Sequence, residues 1–96
     1  MRTDNIVKVE IDSLDRLRIY PEKEKFTLIW RSATEIHWDD KGLFLYSPKP
    51  RKWSYLDWYR QITSIIRTEY NCQLLITEGT IWTNICNNLQ KQILES

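Results

Sequence analysis

The sequence predicts an α+β domain: an antiparallel sheet of successive hairpins, packed against one main amphipathic helix, with a short helix at the C-terminal end. Three observations carry this. Val7, Val9 and Ile11 alternate with Lys8, Glu10 and Asp12, the period of a strand with one face on a core and one in water. Leu56, Tyr59, Ile62, Ile66 and Tyr70 recur every three or four residues, the period of a helix that covers a core with one face. The 96-residue chain contains no linker-like stretch, so residues 1–96 read as a single domain.

The first strand runs about Ile6 to Ile11, and a polar turn at Ser13 to Arg16 leads to a second, with Leu17 and Ile19 inward and Arg18 and Tyr20 outward. Pro21 ends that strand because it lacks the N–H that a ladder needs. After the charged connection Glu22 to Lys25, Phe26-Thr27-Leu28-Ile29-Trp30 is aromatic and branched, which predicts a third strand. A short fourth strand is expected over Glu35 to Trp38. Asp39-Asp40-Lys41-Gly42 is the clearest turn: Asp bonds to its own backbone, Gly42 can take positive φ, and Leu43 to Ser47 returns antiparallel.

Pro48 and Pro50 stop the sheet and hold the chain extended as far as Trp53. Ser54 with Asp57 three residues on is an imperfect capping box that starts a helix from Tyr55 to Tyr70. Trp53 is placed to meet Trp58 as a hydrophobic staple. Asn71 stops the helix. Cys72 to Thr77 reads as a strand, Glu78-Gly79 as a two-residue hairpin loop, and Thr80 to Ile85 as the returning strand, pairing Ile76 near Ile81. Leu89, Ile93 and Leu94 fit a terminal helix after Asn87.

Composition excludes more than it selects. Fourteen Lys and Arg face thirteen Asp and Glu, a net charge of +1, and the pI is about 7.7, whereas strong non-specific nucleic-acid binders usually carry a basic stripe and a pI above about 9. Nucleic acid is a disfavoured partner. The polar start Met1-Arg2-Thr3-Asp4-Asn5 lacks a secretory h-region, and the longest apolar runs are four residues, so a soluble cytoplasmic protein away from membranes is expected. In that compartment Cys72 and Cys86 are expected as free, buried thiols.

No motif commits the chain to catalysis. His37 is the only histidine, which rules out a metal site of several imidazoles, and nothing places a nucleophile beside it. Asp39 and Asp40 are explained by their turn and lack the spacing of a calcium loop. With only Gly42 and Gly79, there is no phosphate loop or dinucleotide fingerprint, and no cofactor is expected. An enzyme using His37, Asp40 or Tyr59 as acid or base is the least supported reading.

The most distinctive stretch is Ser47-Pro48-Lys49-Pro50-Arg51-Lys52-Trp53-Ser54-Tyr55-Leu56-Asp57-Trp58-Tyr59, three cations beside four aromatics. Its bland explanation is a solvated linker leading into a helix whose rings are core. As a binding surface it nominates Arg51, Trp53, Tyr55 and Trp58, since Arg and Trp are enriched at interface hot spots. A partner protein or a second copy in a homodimer is then the ligand. The alternative is a weak single-stranded nucleic-acid or anion site at Lys49, Arg51 and Lys52, with neighbouring rings for stacking. In this block, the Asp-Asp hairpin before it, and its size and layout, the chain resembles small α+β proteins carried by bacterial mobile gene cassettes. It also resembles immunity-type proteins of polymorphic toxin systems. The resemblance implies a protein that works by binding another protein.

Overall fold

The architecture follows from where the alternating apolar positions can be hidden. In a computed structural model describing residues Met1–Ser96, strands β1 (Arg2–Ile11), β2 (Leu17–Pro21), β3 (His37–Asp39), β4 (Phe44–Tyr46) and β5 (Cys72–Thr83) form one sheet in the order β3-β4-β2-β1-β5. Helices α1 (Tyr55–Tyr70) and α2 (Asn87–Leu94) complete the fold. Ile6, Val9, Leu17, Ile19 and Leu45 from the sheet share one core with Trp58, Tyr59, Ile62 and Ile66 of α1 and Leu89 and Ile93 of α2. Each fully buried aliphatic side chain contributes on the order of 1.5–3 kcal/mol. The α+β class, the main helix and the short C-terminal helix are those that the periodicity predicts.

Helix α1 has the predicted bounds because both ends are chemically marked. Ser54 Oγ accepts from Asp57 N at 3.1 Å and Asp57 Oδ2 accepts from Ser54 N at 3.0 Å, a complete capping box. Asn71 ends the helix at φ 52°, a left-handed conformation that Asn tolerates. The Trp53 and Trp58 rings meet at 4.7 Å between centroids, as a staple requires.

The β3-β4 hairpin forms antiparallel about the predicted turn, pairing Trp38 with Leu45, with strands at His37–Asp39 and Phe44–Tyr46 rather than Glu35–Trp38 and Leu43–Ser47. Asp39 Oδ1 accepts from Lys41 N at 2.9 Å and Gly42 N at 2.8 Å. Positive φ falls on Leu43, at 60°, rather than on Gly42. Gly42 is required for space instead: a Cβ there would collide with the Phe44 ring.

Three expectations about the strands are corrected. Val7 is exposed, while Ile6 and Val9 are buried. The β1-β2 register slips between Ile6 and Lys8, and an extra residue in a period-two strand turns the next side chain to the other face. Phe26 to Trp30 is not a strand but leads into a 3-10 turn at Ile29–Arg31. Its buried residues, Phe26, Ile29, Ala33 and Ile36, recur every three or four positions. That is a coiling period, which overrides the β-propensity of five residues read alone.

The third correction concerns strand direction. Glu78-Gly79 is no hairpin loop; Cys72–Thr83 is one continuous strand that runs parallel to β1, pairing Ile6 with Ile76 and Lys8 with Ile81. The residues between form a bulge, stitched by Thr80 Oγ1, which donates to Ile6 O at 2.7 Å and accepts from Thr77 N at 2.9 Å. The sheet is therefore mixed. Helix α1 supplies the crossover that a parallel pair needs. Cys72 is buried as expected, whereas Cys86 is exposed, because its Sγ accepts from Leu89 N at 3.5 Å at the start of α2.

Candidate functional site

Five of the six nominated residues converge. Lys49, Arg51, Lys52 and Trp53 line a groove together with Trp58 of α1, and the opposite wall is Ser32, Ala33, Thr34 and Glu35. The groove encloses about 670 Å³, within the range of ligand-binding clefts. Its geometry follows from the local sequence. Pro48 and Pro50 straighten the approach, the capping box starts α1 directly after Trp53, and Trp58, Gln61 and Ile65 form one stripe at helical spacing along the floor.

Tyr55 does not join them. Its hydroxyl donates to the Asp15 carbonyl at 2.9 Å, tying α1 to the β1-β2 turn. Burial and the nearby Asp15 and Asp12 carboxylates raise its pKa above the ordinary tyrosine value. Trp58 is only 7% exposed, so it belongs to the core with one edge on the groove, whereas Trp53 is 43% exposed.

The groove's polar groups are mostly donors. Arg51 pairs with Glu35 at 3.0 Å and Lys49 with Asp15 at 3.4 Å, both at the surface, and Lys52 has no ion-pair partner. Trp58 Nε1 is buried with no hydrogen-bond partner, and no other buried side-chain nitrogen or oxygen shares that state. An indole N–H can only donate, and a buried donor left unpaired costs about 1–3 kcal/mol. Glu35 holds φ at 68°, a left-handed conformation that costs a non-glycine residue about 1 kcal/mol or more. The Ser32–Glu35 wall carries no signature in the sequence; Gln61 and Ile65 could have been found from their spacing to Trp58.

A second cation-aromatic array, not anticipated from the sequence, covers the sheet face opposite the helices. Lys8 lies 4.5 Å from the Tyr20 ring centroid, Arg16 4.5 Å from Tyr46, and Arg18 4.3 Å from Phe44. Each cation also meets a carboxylate: Lys8 meets Glu10 at 3.5 Å, and Arg16 and Arg18 reach Asp12 Oδ2 at 2.8 and 2.9 Å. Burial alone would push the Asp12 carboxyl up. Hydrogen bonds from Arg16, Arg18 and Leu14 outweigh it and hold the group below the ordinary carboxylate range.

His37, Asp40 and Tyr59 do not form a catalytic cluster. His37 is exposed and packs its ring 5.3 Å from Tyr46. Asp40 accepts from Trp38 Nε1 at 3.3 Å beside the hairpin turn, and burial pushes the Tyr59 hydroxyl up to about 12. No three His, Cys, Asp or Glu side chains are grouped so as to hold a metal. No helix is long and apolar enough to cross a membrane.

Comparison with known proteins places the chain in a family. No curated protein matches it. A solved structure from the mobile metagenome of a sewage outfall, the integron cassette protein Hfx_Cass5, is 32% identical; the match covers 99% of this chain and 95% of that one, with a TM-score of 0.51. The family model described as Integron Cassette Protein Hfx_Cass5 matches residues 4–80, which cover most of the sheet and all of α1 and the groove. The mobile-cassette resemblance is thereby confirmed, and this chain belongs to the Hfx_Cass5 family of integron cassette proteins.

Proposed function

We propose that this protein is a non-catalytic binding domain that captures a segment of a partner protein in the groove beside the N-terminal end of α1. The observation that supports this reading is the convergence of Lys49, Arg51, Lys52, Trp53 and Trp58 on one concave surface. An exposed tryptophan and an arginine beside a recess are the usual anchors of a protein interface. The partner is a different protein, as for an immunity-type protein and its toxin, or a second copy of this chain.

The test is site-specific photocrosslinking in the cells that carry the gene, with the crosslinker at Gln61 in the groove or at Glu78 on the β5 bulge. Adducts from Gln61 alone, lost on adding Arg51→Ala and Trp53→Ala, are expected. An adduct with a second copy identifies the homodimer, and size exclusion with light scattering then shows whether the two substitutions split it. The same adducts from both positions, or adducts indifferent to the substitutions, sink the proposal.

A further inference from the structure

We infer that the segment bound in this groove is acidic, presenting a carboxylate next to an apolar or aromatic residue; this rests on the reading of the groove as the binding site. Three cations line it, Lys49, Arg51 and Lys52, with Glu35 in the lining and Asp15 paired to Lys49 from outside it, which leaves a local charge of +1, carried by Lys52. The whole chain carries the same +1. Positive charge is thus gathered at the groove while the rest of the molecule is nearly neutral.

The hydrogen-bonding demand has the same sign. Lys52 lacks a counter-ion, and Trp58 Nε1 lacks an acceptor. Ammonium, guanidinium and indole N–H groups are all donors without acceptor capacity, so the complementary surface is rich in acceptors. Carboxylates suit it best, since charge-assisted bonds to Lys and Arg are about twice as strong as neutral ones. Ala33, Trp53 and Ile65 supply apolar contact beside these donors, which suits a hydrophobic neighbour to the carboxylate.

Trp58 Nε1 is shielded from solvent, so an acceptor reaches it only after a packed group shifts. The exposed Trp53 ring packs against Trp58 with centroids 4.7 Å apart and planes tilted by 49°, and is taken as the group that yields. Acidic peptide is favoured over single-stranded nucleic acid because the cations are confined to one short recess. A nucleic-acid site needs a charged track running over several nucleotides.

The experiment follows the indole N–H resonances of the five tryptophans in nitrogen-15-labelled protein, assigned with Trp53→Phe and Trp58→Phe variants. The capped pentapeptide Gly-Glu-Phe-Glu-Gly, its Gly-Lys-Phe-Lys-Gly counterpart and an oligothymidylate are titrated in turn. The acidic peptide is expected to shift the Trp53 and Trp58 signals saturably, moving Trp58 downfield as its N–H gains an acceptor. Arg51→Glu with Lys52→Glu is expected to weaken this binding by on the order of tenfold and to confer binding of the basic peptide. Equal response to both peptides overturns the acidic preference but leaves the groove as the site. Shifts confined to other tryptophans overturn both. Response to the oligonucleotide alone, or to no ligand at millimolar concentration, overturns the inference, and the crosslinking result decides the groove separately.

Discussion

Two parts of this molecule are built from the same materials and end in opposite states. On the open sheet face, Lys8, Arg16 and Arg18 each lie over a ring and each meet a carboxylate. At the groove, Lys52 has no counter-ion, and Trp58 Nε1 is buried without an acceptor. The first array is internally satisfied and acts as a stabilising lattice. The second keeps unspent donors beside an exposed ring. Cations next to aromatics therefore identify a site only where the fold has left their bonding capacity over.

The contrast can be broken most forcefully at Asp12. Asp12→Ala removes the shared acceptor of Arg16 and Arg18 and is expected to cost about 3 kcal/mol, measured by urea denaturation; a loss below about 1 kcal/mol would show that the lattice does not stabilise. The pH dependence has a defined sign. Because the folded pKa lies below the ordinary value, the contribution is complete above roughly pH 4 and is lost as pH falls through the lowered folded value. Asp12→Asn should flatten that acid limb.

Gly42→Ala comes next. Its Cβ would strike Phe44, whose ring lies under Arg18, and overpacking of this kind costs about 2 kcal/mol. Thermal melting checks it, and an unchanged midpoint would mean that the ring moves freely. Ser54→Ala removes the cap that positions the groove's helix and is expected to cost about 1 kcal/mol. Helicity by circular dichroism unchanged along with stability would argue that Asp57 alone holds the helix start.

The smallest stability effect is expected in the groove. Arg51→Ala with Lys52→Ala should change stability by no more than about 0.5 kcal/mol, since both side chains are exposed. A loss comparable to that at Asp12 would mean that these cations are structural, and the distinction between the two regions would fail.

Most of the groove's near wall was legible in the sequence. The cation-aromatic run and the Ser54-Asp57 pair lie close together in the chain, and local spacing is what a sequence displays. The far wall was not. Ser32–Glu35 comes from a segment whose coiling shows only when Phe26, Ile29, Ala33 and Ile36 are read together, and whose place beside α1 depends on the packed core. The open-face lattice was also hidden, because its ring-cation pairs join β1, β2 and β4 across the sheet.

By itself the sequence determined the bounds of α1, through its cap and Asn71, the Asp39–Gly42 hairpin, and the α+β class. Tertiary structure alone decided the direction of β5, the bulges at Val7 and at Thr77–Thr80, and the exposure of each ring. The reason is physical. Hydrophobic alternation specifies which face of a strand is buried, but a parallel and an antiparallel neighbour satisfy that demand equally. The choice between them is made by long-range pairing, and so is the fate of each polar group: whether it meets its partner within the fold or is left to seek one outside.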